Sequence, residues 1–167
     1  MSPIILRASP LTATEFRPFG DVIEIAGHTP LAINAGTCER FDDLARVDVL
    51  EAEGRPLLSI FRALPQPLPL EVRTLERHPL SSQGFYPLDA RPFLVVVAEG
   101  GQPPRASNVH AFLSSGLQGV NYHRNTWHHG LIALGQISSF LVVDRGGPGD
   151  NCEQCTIDDV PLQVSIP

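Results

Sequence analysis

From Leu57 onward the chain alternates short apolar runs with turn residues: LLSIFRA, GFYPL, PFLVVVAEG, NVHAFLSSG, LIALG and FLVVD, the last closed by GGPGDN. Runs of this length between Gly, Pro, Asn and Ser read as strands. Upstream, Ile4 to Leu6 is a short strand, and DVIEI after Gly20, where Val22 alternates with Glu24, is a strand with one wet face. Thr12-x-x-Glu15 matches a capping box opening a one-turn helix that Pro18 ends. NAGT (34–37) reads as a turn; Phe41, Leu44 and Ala45 sit at helical spacing, and ARVDV resumes period two. PQPLPL is a rigid connector leading into a strand EVRTLERH, which Pro79 ends. On that strand Val72, Thr74, Glu76 and His78 share one face, and Arg73, Leu75 and Arg77 the other.

Many short strands at about ten-residue spacing, with only hints of brief helices, predict an antiparallel barrel or sandwich. No βαβ alternation supports a Rossmann-type fold. With 167 residues and no repeat, low-complexity tract or linker, residues 1–167 read as a single domain.

Composition narrows the chemistry. Twelve Arg, no Lys and eighteen acids give a net charge of −6 without a basic tract, which argues against nucleic acid as a partner. Without lysine there is no Schiff-base chemistry, and an anionic substrate must be held by arginine. No run approaches the roughly 18 apolar residues of a membrane helix. MSPIILRASPL has too short an apolar run for a secretory signal, so the expected location is the cytoplasm. Of three cysteines, Cys152 and Cys155 form a C-x-x-C without a second ligand pair, and read as incidental.

Chemistry concentrates in GVNYHRNTWHHG (119–130), which holds three of six histidines and the only tryptophan. Histidine offers acid/base chemistry or metal ligation. A strand from Trp127 to Leu134 would turn His128, Ile132 and Leu134 one way, and Trp127, His129 and Leu131 the other. The aliphatic company of His128 puts it inside and leaves His129 on the surface. His123, before the turn Arg124-Asn125-Thr126, reaches the same cavity by another route. A second group is Glu76-x-His78 followed after four residues by Gln83: two side chains on one strand face and a third returning from the next strand, able to meet a divalent metal or a polar substrate. Arg62, on a face with Leu58 and Ile60, calls for a carboxylate, either Glu76 or a ligand. Arg40 and Arg46 are weaker candidates; His28 and His110 have no supporting pattern. No G-x-S-x-G or phosphate-cradling loop occurs.

These blocks, LTATEFRPFGDVIE, INAGTCERFDDLARVDV, GRPLLSIFRA, LERHPLSSQGFYPLDARPFLVVVA, GVNYHRNTWHHGLIAL and FLVVDRGGPGDNCE, resemble in order and spacing bacterial ureidoglycolate lyase, from about Leu11 to Glu153. The resemblance implies a cupin-like antiparallel β-barrel (jelly roll) with a few short helices, usually a homodimer, that splits (S)-ureidoglycolate into glyoxylate and urea in allantoin degradation. Cupins carry H-x-H-x₃₋₄-E and a second histidine motif; here the first becomes Glu76-x-His78-x₄-Gln83 and the second RNTWH, with His128 as its histidine. Glu76, His78, Gln83 and His128 would be the ligands of a divalent metal, nickel in particular, while Glu for the first His and Gln for the last Glu weaken that site. Asn125 stands where glycine is usual. Proton transfer falls to His78 and His128, with His123 in reserve and Glu76 as an alternative base. Arg62, Gln83, Asn34 and Tyr122 are the substrate contacts, Arg62 on the carboxylate. The competing expectations are another small-acid cupin enzyme, a metal-dependent isomerase or oxygenase, and a non-catalytic carboxylate-binding barrel.

Overall fold

Every residue of Phe93–Ala98 is buried, so both faces of this strand meet a core. A computed structural model describes residues 2–167. Their strands are β1 (Ile4–Arg7), β2 (Ser9–Pro10), β3 (Gly20–Ile23), β4 (Leu31–Ile33), β5 (Cys38–Arg40), β6 (Arg55–Ala63), β7 (Leu70–Val72), β8 (Thr74–Arg77), β9 (Gln83–Pro87), β10 (Phe93–Ala98), β11 (Val109–Leu113), β12 (Gly119–Tyr122), β13 (Trp127–His128), β14 (Ile132–Ala133), β15 (Ser138–Gly146), β16 (Glu153–Thr156) and β17 (Leu162–Ser165). One helical turn, α1 (Ala13–Phe16), starts where expected, with the Thr12 hydroxyl accepting from the Glu15 amide at 3.2 Å.

The strands form three layers. A seven-stranded sheet (β16-β8-β13-β10-β11-β2, with β14 also on β10) lies between a five-stranded sheet (β3-β12-β9-β15-β6) and a three-stranded one (β1-β17-β7). Phe93, Val95 and Val97 of β10 pack with Phe85, Val120, Phe140 and Val142 of the five-stranded sheet. Leu94, Val96 and Ala98 face the other way, onto Leu70, Val72, Leu162 and Val164. Fully buried Phe93 and Phe140 meet edge to face at 5.2 Å, each contributing about 1.5–3 kcal/mol through burial.

The β fold is the one expected, with differences in detail. The large sheets are separate ladders, so the barrel is not closed by hydrogen bonds. Two pairs, β1 with β17 and β2 with β11, are parallel. The helix around Phe41–Ala45 and the strand ARVDV do not form. The backbone there bonds to side chains instead: the Arg46 amide donates to Asp21, the Asp48 amide to the Ser82 hydroxyl, and Asn121 donates to the Arg46 carbonyl. EVRTLERH breaks at Arg73 into β7 and β8, which join different sheets, so Val72 and Leu75 share a core and the single alternation fails.

The strand expected from Trp127 to Leu134 is also broken. His128 lies opposite Val97 and Ile132 opposite Leu94, so four steps on one chain match three on its neighbour. The extra residue is a bulge, and it sends His128 and Ile132 to opposite faces of the sheet.

Candidate active site

His128 shares the face of Val97, toward the five-stranded sheet, and Glu76 of β8 lies directly opposite it in the ladder. Beyond the end of β8 comes His78. From the five-stranded sheet, Gln83 pairs with Tyr122, and Asp144 follows Phe140 and Val142 on the inward face of β15. The segment after β15 returns across the opening, so Asn151 and Cys152 complete a cavity of about 270 Å³ also lined by His78, Ser81, Gln83, Asp144 and Arg145. Glu76 and His128 adjoin it through His78, whose ring centroid is 5.0 Å from that of His128.

Both histidines are oriented from behind. His78 Nδ1 donates to the Asn151 carbonyl at 2.6 Å, and His128 Nδ1 to the Thr126 carbonyl at 2.9 Å. His78 Nε2 then meets Gln83 Oε1 at 3.0 Å, and the Gln83 amide nitrogen donates to Asp144 at 3.4 Å. The Gln83 side chain thus links the His78 ring to Asp144 across the cavity. His128 differs: its Nε2 is buried without a hydrogen-bond partner and lies 3.6 Å from Glu76 Oε1. Tyr122 stacks on its ring at 4.2 Å and 15°.

Charge states follow from these surroundings. Burial pushes the His128 pKa below the usual imidazole value, outweighing the attraction of Glu76. Interaction with His128 draws the Glu76 pKa down despite burial, helped by His78. At 3.6 Å that interaction is longer than a hydrogen bond and acts through space. Burial, then the Glu76 charge, raises the Tyr122 phenol and keeps it neutral. A neutral His128 and an ionised Glu76 therefore face each other with lone pairs, an arrangement that a shared proton or a cation relieves.

Glu76, His78 and His128 each offer one donor atom, all within 4.8 Å of one another. Two imidazole nitrogens whose partner nitrogens are fixed on carbonyls, together with a carboxylate, form a donor set that suits a divalent transition metal. The orphaned His128 Nε2 fits such an ion. Gln83, expected as a fourth ligand, instead contacts His78 through Oε1.

Other expected site residues lie elsewhere. Arg62 is exposed on β6 and is not among the cavity-lining residues, because the face it shares with Leu58 and Ile60 is the outer one. Asn34 sits exposed in the β4–β5 hairpin at φ 52°. His123 does not reach the same cavity; its Nε2 contacts Asp21 at 2.9 Å beside a separate pocket lined by Arg46, Asp48, Ser82 and Arg124. Tyr122 is buried against His128 and is not on the cavity wall. Asn125 adopts the left-handed conformation, φ 66°, suited to glycine or asparagine. Cys155 packs against the rear core while Cys152 borders the cavity, so the C-x-x-C does not converge on one site. Sequence reasoning missed Asp144, Arg145, Ser81 and Asn151; only Asp144 carried a signal, as the third inward position after Phe140 and Val142.

The family model described as ureidoglycolate lyase matches residues 3–165. A ureidoglycolate lyase of Burkholderia mallei (strain NCTC 10229) is 55% identical over 149 residues, covering 89% of this chain and 87% of its own. That of Brucella anthropi is 51% identical over 157 residues, covering 93% and 91%. One from Pseudomonas putida (strain W619) is 51% identical over 149 residues, 89% of each. A family match over residues 3–165, with relatives 51–55% identical over 89–93% of the chain, establishes that this chain belongs to the ureidoglycolate lyase family.

Proposed function

We propose that this chain, as one catalytic domain over residues 1–167, cleaves (S)-ureidoglycolate to glyoxylate and urea, in allantoin degradation and hence in the use of purine nitrogen. The observation that carries the reading is the convergence of Glu76, His78 and His128 beside a small polar cavity.

Ureidoglycolate has a hydroxyl and a urea nitrogen on one carbon. Loss of the hydroxyl proton forms the aldehyde C=O as the C–N bond breaks, and the departing nitrogen takes up a proton. One base and one acid suffice, with no covalent intermediate. Neutral His128, its Nε2 lone pair directed at the Glu76 side, is the base. The resulting imidazolium is stabilised by the Glu76 carboxylate 3.6 Å away. His78, on the cavity wall with Nδ1 fixed on the Asn151 carbonyl, is the acid that delivers a proton to urea. Asp144, on the cavity wall, accepts from the ureido N–H groups. A divalent cation, nickel among the candidates, would be held by Glu76, His78 and His128 in place of their proton-transfer roles, and would supply Lewis-acid polarisation of a substrate oxygen.

Replacing His128 with Asn tests the assignment, with glyoxylate, urea and ammonia assayed separately. The expected result is urea and no ammonia from the parent chain and a loss of turnover of at least about 100-fold in the folded variant. Ammonia in place of urea, or near-normal turnover in the variant, overturns it. Elemental analysis before and after chelation, alongside activity, decides the metal. A cytoplasmic homodimer completes the proposal, supported by the uncovered Leu58 and Ile60 on β6 and Tyr86 on β9.

A further inference from the structure

Arg145 is the only permanently charged side chain among the described residues that is buried, at 8% exposure. Elsewhere the guanidinium groups of Arg40, Arg73, Arg77, Arg91 and Arg124 each meet a carboxylate. Arg145 meets none within ion-pair distance. Its Nε donates to the Glu51 carbonyl at 3.0 Å, and its Nη2 donates to the carbonyls of Glu51, Ala52 and Pro148 at 2.8–2.9 Å. Four hydrogen bonds to neutral oxygens orient the group without neutralising it.

The surrounding chain is shaped to hold that orientation. Ala52 and Glu53 are non-glycine residues at φ 48° and 59°, a left-handed pair that costs conformational energy and is kept where the surroundings require it. Gly54 is needed for space, since a Cβ there would stand 2.4 Å from Arg145 Nε. The Glu51 carboxylate in this loop pairs with Arg124 instead, at 3.2 Å. Nη1 alone forms no hydrogen bond, and Arg145 lines the same cavity as His78, Gln83 and Asp144.

We propose that Arg145 recognises the substrate's carboxylate, the place the sequence had assigned to Arg62. The proposal deepens the lyase reading and rests on it for the identity of the acid. A rigid, unpaired guanidinium in a small cavity selects an anion of carboxylate geometry, and its fixed harness means that little freedom is lost on binding. With the carboxylate on Arg145 and the ureido group on Asp144, the reacting carbon is left for the histidines. Recognition of the carboxylate also excludes neutral carbinolamides that carry the same hydroxyl and urea nitrogen.

The test compares ureidoglycolate with its methyl ester, which differs only in the charge that Arg145 reads. In the parent protein kcat/KM favours the acid by about 100-fold or more. In Arg145→Gln the acid value falls by about that factor and the ester value stays within threefold, so the preference disappears. A group that only braces the 51–54 loop lowers both substrates together, and that outcome overturns the proposal, as does an acid preference that survives. Should the Gln variant not fold, Arg145→Lys carries the comparison, with a partial loss of preference expected and an unchanged preference refuting. Glyoxylate titrated calorimetrically into both proteins separates the two readings. Glyoxylate binding lost in the variant, with ureidoglycolate not cleaved by the parent, sinks the lyase and keeps the carboxylate site. Cleavage by the parent, with glyoxylate affinity unchanged in the variant, sinks the carboxylate site and keeps the lyase.

Discussion

Replacing Glu76 with Gln keeps shape and removes one charge from between the two histidines. Glu76 Oε1 is 3.6 Å from His128 Nε2 and 4.0 Å from His78 Nε2. At those separations and an effective dielectric near 20, attraction to an imidazolium on His128 is roughly 4–5 kcal/mol before solvent competes. The Glu76 side chain keeps 29% of its exposure, so water returns part of that attraction. With that competition about half of the attraction, roughly 2–3 kcal/mol, remains beside a partner as buried as His128. The expected consequence is a loss of about 2–3 kcal/mol in the transition state, roughly 30- to 150-fold in kcat, with KM changed little because the charge develops on His128 only as the proton moves. Initial rates of glyoxylate release measure it, and a thermal melt checks that the variant is folded. A kcat within threefold of the parent would refute the electrostatic role. A rise in KM at constant kcat would move Glu76 from catalysis to binding.

Two further outcomes follow from features away from the chemistry. Burial raises the Asp21 pKa, but the Asn121 amide, the Arg46 N–H and His123 outweigh it and leave the carboxyl below its ordinary value. A depressed folded-state value stabilises the protein above the unfolded pKa and is lost as pH falls through the folded one. The stability gap between parent and Asp21→Asn, read by denaturant melts, should therefore be full at pH 6 and close below about pH 3.8; a constant gap would contradict the assignment. Gly20→Ala would place a Cβ 2.1 Å from the Asn121 carbonyl oxygen, in the ladder beside Tyr122. Backbone must shift, at about 1–3 kcal/mol and roughly 3–10 °C in Tm, and a change under 1 °C would show that the contact relaxes freely.

What the sequence disclosed depended on how local each cause was. Glu76 and His78 were readable because a spacing of two along extended chain is a local relation. His128 does face inward, but not in the company of Ile132 that strict alternation predicts, because the bulge puts Ile132 on the opposite face. Arg62 misled because alternation reports that a strand has two faces and not which one is covered. Arg145 was unreadable, since two of the three carbonyls that hold it lie 93 and 94 residues earlier in the chain. The irregular 41–50 segment defeated pattern reading for a related reason: side chains from Asp21, Ser82 and Asn121 satisfy its backbone.

The seven-stranded sheet is the middle of three layers, and His128 belongs to it. Trp127, the next residue along, faces the rear core, beneath the Arg77 guanidinium at 4.6 Å from its ring. The wall that holds the base is thus also the front of a second, purely structural packing layer. Close-packed interiors pass displacement on instead of absorbing it, and catalysis is sensitive to fractions of an ångström. For an engineer, residues such as Val72, Val96 and Val164, which never see substrate, become levers on turnover. Thermostability and rate cannot be tuned as independent properties from the back of this molecule.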